Sequence, residues 1–363
     1  MRILVVTTTF PQWDSDPRGA FLRRFWEHRA RAGATVDVLA PRTVWCHGPM
    51  DSVLRIERFT YAPRPCSTLT GQYGILENIR ARPYRAVLVP ALWVGMRRAV
   101  ARRLEQTRWD RVVAHMLMPV GAGVAPLCRA RGVPFELYGH GTDIDVLLRL
   151  PRLVRARLAI EFADAIAIHV PSEDKRRRLV LAMPQLAARL RVSTMAETVA
   201  RPPLPRCPEP GSVLFLGRLI RQKGVDDLIA AMARVGEGHL QIAGDGPERR
   251  RLRRQADRLG VTARFHGFVE GPAKERLLRS ASVLCVPSRE VAGLSEGAPL
   301  VIREADVRGL PVIATRVGGI PELCNHSKGP VDLVPPGDPT ALADALRRHL
   351  QAPPLHSASG EGC

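Results

Sequence analysis

Short runs of apolar and β-branched residues alternate with longer amphipathic stretches along the first 200 residues. Stretches such as FLRRFWEHRARAG, at 21–33, have the three- to four-residue apolar spacing of a helix. Strands that are apolar on both faces and separated by helices indicate βαβ units around a buried parallel sheet. The strands are predicted at 3–9, 35–40, 86–90, 111–114, 134–138 and 165–170.

The same alternation restarts after the proline-dense segment 201–211, which we interpret as a linker. The second series of strands is predicted to begin at 212, 239, 263, 282, 311 and 331. A last helix is predicted at 340–350, and the small polar residues of 351–363 predict a disordered tail. The sequence therefore predicts two doubly wound α/β domains, at 1–200 and 212–350.

Composition and charge narrow the possible partners. The 363 residues suffice for two domains of roughly 100 to 200 residues each, and the formal net charge is +19. Residues 1–200 hold 31 basic and 17 acidic residues (+14), whereas the remainder holds 23 and 18 (+5). This field favours an anionic partner such as an anionic lipid, a phosphate-bearing substrate or a nucleic acid, although a GC-rich genome would also enrich arginine.

Neither a membrane span nor a secretory leader is predicted. No run of about 18 uncharged apolar residues exists, and the N-terminal apolar stretch is too short for a signal-peptide core. The seven widely spaced cysteines form no Cys-x-x-Cys pair and indicate neither a disulfide framework nor a zinc site. We therefore expect a cytoplasmic protein, with peripheral association at the inner face of the cell membrane as a further expectation from the charge.

Three basic segments can be explained by ordinary packing or solvent exposure rather than by ligand binding. The segment 97–108 either lies on a membrane surface or packs into the core with the apolar stripe of Trp93, Met96, Val100 and Leu104, and the core is favoured. The segment 174–178 is expected to be a solvated helix face. The basic segment 248–254 is likewise expected to be a solvated helix face, and it has few aromatic residues to stack bases, so no nucleic-acid partner is expected.

Two turns of the second domain carry candidate ligand-binding residues. Arg218 and Lys223 follow the strand that begins at 212, and ligands bind at the carboxyl ends of strands in open α/β sheets. Their positive charges suit a diphosphate, although a solvated loop is the alternative. After the next strand, Gly244 and Gly246 would let the backbone approach phosphate or ribose oxygens, unless the segment is a plain strand-to-helix turn.

Two carboxylates stand eight positions apart in the segment SEGAPLVIREAD. Glu296 is expected in a loop, Pro299 at the start of a helix, and Glu304 about a turn and a half inside it. The helix amides beside Leu300 would attract an anion, and each carboxylate could accept two sugar hydroxyl hydrogen bonds. Seen alone, a solvated glutamate pair is the alternative.

Six motifs follow one another between residues 217 and 322. In order they are GRLIRQKG, IAGDGPER, FHGFV, the Glu-x7-Glu pair, GLPVIAT and GGIPE. This set resembles the C-terminal domain of family-four retaining glycosyltransferases. The first half agrees more loosely, through TTTFPQ at 7–12, HMLMPVG at 115–121 and HGTD at 140–143. The resemblance implies the GT-B fold, in which two doubly wound, Rossmann-like domains face a central cleft.

The resemblance also implies roles for individual residues. Arg218 and Lys223 would bind the donor diphosphate and stabilise it as it leaves, Glu296 would hold hydroxyls of the donor sugar, and Glu304 would hold the nucleotide ribose. Further matched positions are Phe268 and Val269 beside the base, His140 facing the donor sugar from the first domain, and Gly19 near phosphate and acceptor.

The activity implied is a retaining, metal-independent transfer of a hexose from a nucleotide sugar, with no cofactor. A lipid-linked acceptor in surface-polysaccharide or glycolipid assembly is preferred, and a small secondary metabolite is the alternative. A sugar-nucleotide epimerase and a catalytically inactive basic binding protein are the rivals from other classes. Two Asp-x-Asp pairs, beginning at Asp14 and Asp143, mimic a metal motif, but no metal site is predicted.

Three features depart from the family pattern. Ala298-Pro299 replaces a common Phe-Gly pair, which should alter the sugar pocket without removing either carboxylate. The segment 194–200, TMAETVA, stands where the family has an Asn-Gly-Val-Asp turn. The family's last helix, which crosses back to the first domain, is expected to be absent.

Overall fold

The computed structural model describes residues 1–14, 16, 18–46, 50–71, 74–193 and 204–351. The chain divides into two compact units, 1–198 and 199–363. The segment 194–200, the first three residues of the proposed linker and the tail 352–363 lie outside the described residues.

The first unit contains a seven-stranded sheet in which every neighbouring pair is parallel. The strand order is β3-β2-β1-β4-β5-β6-β7. The strands are β1 Arg2–Val6, β2 Thr35–Pro41, β3 Arg55–Phe59, β4 Arg111–His115, β5 Phe135–Tyr138, β6 Ala167–Val170 and β7 Leu190–Val192. The α-helices are α1 Ala20–Arg31, α2 Ile75–Ala81, α3 Leu88–Gln106, α4 Ala122–Ala130, α5 Thr142–Leu148, α6 Arg152–Phe162 and α7 Glu173–Ala182.

The second unit contains a six-stranded parallel sheet in the order β10-β9-β8-β11-β12-β13. Its strands are β8 Ser212–Leu216, β9 His239–Ala243, β10 Ala263–Gly267, β11 Val283–Val286, β12 Val312–Thr315 and β13 Val331–Val334. Its α-helices are α8 Val225–Val235, α9 Arg249–Arg258, α10 Gly271–Ser280, α11 Leu300–Asp306, α12 Ile320–Asn325 and α13 Pro339–Gln351.

Each sheet has an apolar core on both faces. In β1, Leu4 and Val6 belong to one core cluster, whereas Ile3 and Val5 belong to the other. The central strand β8 of the second unit divides its side chains in the same way. Because successive side chains of a strand point to opposite faces, a central strand with two cores must be apolar throughout, as the sequence pattern indicated.

The prediction of a strand at 86–90 is wrong. Pro83–Val87 forms a 3-10 helix, and α3 starts at Leu88. Leu92 and Met96 of α3 are buried, so the apolar run continues a helical stripe rather than a strand. The strand β3 was missed because it lies at the sheet edge, where charged residues are tolerated.

The structure also shows how the basic segments 97–108 and 174–178 are packed. Met96, Val100 and Leu104 are buried in the core, which confirms the core interpretation of α3, and Arg103 pairs with Asp37. The prediction that 174–178 is a solvated helix face is wrong at Lys175. This side chain is fully buried, with its ammonium 2.6 Å from the Asp145 carboxylate. A buried ammonium requires such a partner. Within the described ranges, no helix is long and apolar enough to cross a membrane.

Candidate active site

The loops that carry most of the predicted residues leave the same edge of the second sheet. From β8 the chain proceeds to β9 and β10 on one side, and it returns to β11 and β12 on the other. The strand order therefore reverses beside β8, and ligands of open α/β sheets bind outside the carboxyl ends of the strands at such a reversal. Arg218 and Lys223 follow β8, and Glu296 follows β11.

Lys223 and Glu296 form an ion pair across these two loops. The Lys223 ammonium lies 2.8 Å from Oε1 of Glu296, and the two side chains are only 15% and 16% exposed. The next residue, Gly224, has φ 61°, and a Cβ there would lie 1.9 Å from the Pro287 carbonyl oxygen. Glycine at this position therefore lets the loop after β8 approach the end of β11 and so places Lys223 against Glu296.

The turn after β12 holds the backbone of Glu296. The Gly319 amide donates to the Glu296 carbonyl oxygen over 3.2 Å. Gly318 has φ 56°, and a Cβ there would lie 2.0 Å from that same oxygen. Only glycine permits this approach, so the GGIPE turn positions a carboxylate more than 20 residues away in the sequence.

Glu304 lies in α11 and is paired with a residue that sequence reasoning missed. Lys274 of α10 places its ammonium 2.5 Å from Oε2 of Glu304, and both side chains are about one-fifth exposed. The chain has only four lysines, and Lys223 and Lys274 each pair with one glutamate of the Glu-x7-Glu segment. The rarity of lysine among so many arginines was the sequence signal that could have identified Lys274.

The glycines after β9 pack against protein backbone. A Cβ on Gly244 would lie 1.8 Å from the Gly217 carbonyl oxygen, and one on Gly246 would lie 2.2 Å from that of Leu219. These contacts join the loop after β9 to the loop after β8. The helix α9 then begins at Arg249.

The remaining predicted residues of the second unit are placed as follows. Arg218 is exposed and has no ion pair with any residue that the structure describes. Phe268 follows β10 and is 47% exposed, while Val269 packs against the core. Pro299 is buried and caps α11, which begins at Leu300. The helix start expected near Pro299 is therefore confirmed.

In the first unit, Gly19 and His140 occupy two further strand-end loops. Gly19 precedes α1 with φ 77°, and its Cβ position is 3.0 Å from backbone atoms of Thr9 and Phe10. His140 follows β5 and is half-buried. Its backbone amide donates to the Asp143 carboxylate over 2.8 Å, and the amide of Leu117 donates to the same carboxylate over 2.6 Å.

Two histidines lie together at the ends of β4 and β5. Nδ1 of His115 is 3.1 Å from Nε2 of His140, and the rings are stacked. Burial lowers the pKa of His115 well below its ordinary value, and it lowers the pKa of His140 as well. Both rings are therefore neutral at pH 7. Among the described residues, no group of three or more His, Cys, Asp or Glu side chains could hold a metal ion.

Known proteins are similar to this chain in sequence and in architecture. Residues 210–352 match the family described as glycosyl transferases group 1. The chain is 26% identical over 371 aligned residues to the putative teichuronic acid biosynthesis glycosyltransferase TuaC of Bacillus subtilis, covering 96% of this chain and 89% of that protein. It is 30% identical to the GDP-mannose-dependent monoacylated alpha-(1-6)-phosphatidylinositol monomannoside mannosyltransferase of Corynebacterium glutamicum, covering 76% of each.

Solved structures agree in fold. Anabaena Alr3699/HepE, in complex with UDP and glucose, superposes with a TM-score of 0.63 at 19% identity, over 97% of this chain and 90% of that one. The sucrose-phosphate synthase of Thermosynechococcus elongatus gives a TM-score of 0.66 at 22% identity, over 96% and 90%. The chain therefore belongs to the group 1 glycosyltransferases, and its two parallel-sheet, Rossmann-like domains have the GT-B fold.

Proposed function

We propose that this protein is a retaining, metal-independent hexosyltransferase that uses a nucleotide sugar as donor and needs no cofactor. The observation that carries the proposal is the Lys223–Glu296 pair at the strand-order reversal of the second sheet. It puts a cation suited to a diphosphate next to a carboxylate suited to sugar hydroxyls. This is the arrangement that transfer from a sugar diphosphate needs.

In the proposed reaction an acceptor oxygen forms a bond to the sugar's anomeric carbon while the bond to the diphosphate breaks. Arg218 and Lys223 stabilise the negative charge that develops on the leaving phosphate, which is the role elsewhere taken by a metal ion. The acceptor attacks the face from which the phosphate departs, and a phosphate oxygen takes the acceptor proton. Glu296 holds hydroxyls of the sugar throughout.

The other assignments concern the rest of the donor. Glu304, oriented by Lys274, would bind the ribose, and the backbone of Phe268 and Val269 would contact the base. From the first domain, His140 would contact the donor sugar, and Gly19 would lie near phosphate and acceptor. The backbone amides that follow Pro299, beginning with that of Leu300, would attract phosphate. Gly244 and Gly246 would shape the loop that packs against the Arg218 loop.

We further propose that the acceptor is lipid-linked and belongs to surface-polysaccharide or glycolipid assembly. The names of the two relatives support this, because one refers to teichuronic acid biosynthesis and the other to a phosphatidylinositol mannoside. A small secondary metabolite remains the alternative acceptor. Analysis of the lipid and aqueous fractions after reaction separates the two.

A membrane-facing surface accompanies this acceptor. Tyr84, Val87, Val89 and Val94 lie at the start of α3 and just before it, and Tyr84 and Val87 are 65% and 75% exposed. The exposed Arg80, Arg82 and Arg98 flank them. No acidic residue occurs between Glu77 and Glu105. Apolar side chains bordered by unopposed arginines suit the interface of an anionic bilayer, where each arginine adds about 1 kcal/mol.

Vesicle sedimentation tests this surface. The protein should sediment with phosphatidylglycerol vesicles at low salt and not with phosphatidylcholine vesicles. The Tyr84→Ser/Val87→Ser variant should lose this binding, while Leu153→Ser, at an 86% exposed leucine of α6, should keep it. Binding that ignores lipid charge, or that only Leu153→Ser abolishes, would overturn the proposed surface.

The activity itself is tested with a panel of nucleotide sugars. A ligand at 100 times its dissociation constant should add about 2.7 kcal/mol of stability, which a thermal-shift assay detects. The donor found in this way should yield a nucleoside diphosphate and a glycosylated acceptor with the donor's anomeric configuration. Inversion of that configuration, or activity lost to chelator and restored by manganese, would contradict the proposal. An altered free nucleotide sugar without transfer would instead indicate an epimerase.

A further inference from the structure

Three side chains from three elements of the first domain form a hydrogen-bonded chain. Trp26 lies on α1, His115 is the last residue of β4, and His140 follows β5. The Trp26 indole nitrogen lies 2.9 Å from Nε2 of His115, and Nδ1 of His115 lies 3.1 Å from Nε2 of His140. We name this chain the Trp26–His115–His140 relay.

The chemistry of the three groups permits one arrangement of protons. An indole N–H only donates, so Nε2 of His115 must be the acceptor and must carry a lone pair. A neutral imidazole has its proton on the other nitrogen, so Nδ1 of His115 donates to His140. Nε2 of His140 is therefore an acceptor as well, and His140 carries its own proton on Nδ1.

Burial maintains this arrangement. Trp26 is 1% exposed, and His115 is fully buried. Moving the His115 proton to Nε2 would point an N–H at the Trp26 N–H and leave a buried donor without an acceptor, which proteins avoid. Because the pKa of each histidine is lowered by burial, protonation of either ring does not relieve the constraint at pH 7.

The backbone around His140 is held as firmly as the ring. The Asp143 carboxylate accepts from the amides of both His140 and Leu117, which joins the loop after β5 to the loop after β4. Phe21 packs against the His140 ring in a T-shaped arrangement, with 5.7 Å between centroids. Among the described residues Nδ1 of His140 has no hydrogen-bond partner, so this N–H is available to a ligand.

We infer that Trp26 and His115 are positioning residues that hold His140 in the Nδ1–H tautomer, so that it offers a hydrogen-bond donor rather than a lone pair. This inference rests on the proposed contact between His140 and the donor sugar. An Nδ1–H donates to a sugar oxygen and cannot take the acceptor proton. His140 therefore orients the sugar, and the proton goes to the leaving phosphate.

Nitrogen-15 NMR of the full chain with labelled histidine tests the relay without substrate. The His140 signals, assigned by their loss in His140→Asn, should show a protonated Nδ1 and an unprotonated Nε2. In Trp26→Phe the constraint on His115 is gone, and the Nε2–H tautomer of His140 should become populated. An Nε2–H tautomer in the unsubstituted chain would overturn the inference, whatever the variants do.

Trp109→Phe is the matched control. Trp109 is also a buried tryptophan of the first domain, and its indole N–H donates to the Arg103 carbonyl oxygen over 2.9 Å, away from the histidines. This variant should lose comparable stability and leave the His140 tautomer unchanged. A tautomer shift in Trp109→Phe as large as that in Trp26→Phe would contradict the relay.

Kinetics give a second readout. Trp26→Phe should lower kcat by about tenfold, as expected for one misdirected hydrogen bond, and leave the dissociation constant of the free nucleotide unchanged. Unchanged kcat in Trp26→Phe, despite an altered tautomer, would overturn the positioning role. If no transfer is found for any donor while NMR shows the Nδ1–H tautomer, the proposed function fails and the proton arrangement stands, so the two failures are distinguishable.

Discussion

The ammonium of Lys223 lies 2.8 Å from a carboxylate oxygen of Glu296, and neither side chain is more than 16% exposed. This pair joins the loops that leave β8 and β11, on either side of the strand-order reversal. Two largely buried charges of opposite sign stabilise each other, and neutralising Lys223 removes this partner of Glu296. In the proposed reaction, a donor diphosphate would draw Lys223 towards itself and weaken its pair with Glu296.

Neutralising either member of this pair should abolish most transfer. Glu296→Gln and Lys223→Met should each lower kcat/KM by about 100-fold to 1000-fold, because stabilisation of the developing charge or of the sugar is lost. Arg221→Met is the control, since Arg221 lies on the same loop with a 72% exposed side chain and should change transfer little. Near-normal turnover of either site variant would remove the site assignment.

The same variants test the pairing thermodynamically. The Lys223→Met/Glu296→Gln double variant should lose less stability than the sum of the two single variants, because the Lys223–Glu296 attraction is lost only once in it. Free energies of unfolding from urea titration of all four proteins give this coupling. Additive losses would mean that the two groups do not stabilise each other.

Lys274→Met should weaken nucleotide binding and spare the chemical step. Without the ammonium 2.5 Å away, the Glu304 carboxylate loses the group that orients it. The KM for the donor should rise by about five- to tenfold, the effect of losing one ordinary hydrogen bond, with kcat nearly unchanged. The exposed Lys328, on the same domain, provides the control Lys328→Met. Equal effects of the two substitutions on KM would argue against an orienting role for Lys274.

Gly318→Ala should damage the site more than a backbone effect alone explains. Gly318 and Gly309 have nearly the same left-handed φ, 56° and 60°, so alanine at either costs about 1 kcal/mol of unfolding free energy. Only at position 318 would the new Cβ also meet the Glu296 carbonyl oxygen, at 2.0 Å; at Gly309 nothing lies within 4 Å. Measurements of thermal unfolding and of donor binding should distinguish the two variants, with binding intact in Gly309→Ala and lost in Gly318→Ala. Intact binding in both would show that this contact does not hold Glu296.

Acid should destabilise the first domain through His115 and His140. The folded-state pKa values of His115 and His140 lie below the ordinary value of about 6.5, so below that pH the unfolded chain binds more protons. Stability is full above about pH 6.5 and falls as the pH drops, by up to about 1.4 kcal/mol per pH unit for each group.

Urea unfolding between pH 7.5 and 5.5 measures this dependence. All five tryptophans lie within residues 13–109, so their fluorescence reports the first domain. His115→Gln removes one of the two groups, and its stability should fall less steeply with acid. An equally steep fall in that variant would show that His115 does not contribute.

The sequence by itself determined the class of fold and the positions of most elements. The spacing of apolar residues is local information, since a strand buried on both faces must be apolar throughout and a helix must repeat every three to four residues. For the same reason Glu296 was expected in a loop and Glu304 inside a helix, as the structure has them. The ordered motifs of the second half also indicated the glycosyltransferase family.

Only the tertiary structure decided which distant residues meet. The pairing of Lys274 with Glu304, the burial of Lys175 against Asp145 and the meeting of Trp26 with His115 each join different elements. Such contacts depend on the order of strands and on close backbone approaches like that of Gly318 to Glu296. The strand prediction at 86–90 was wrong for a related reason. A short apolar segment suits a strand or a helix equally, and packing of the residues that follow it made it helical.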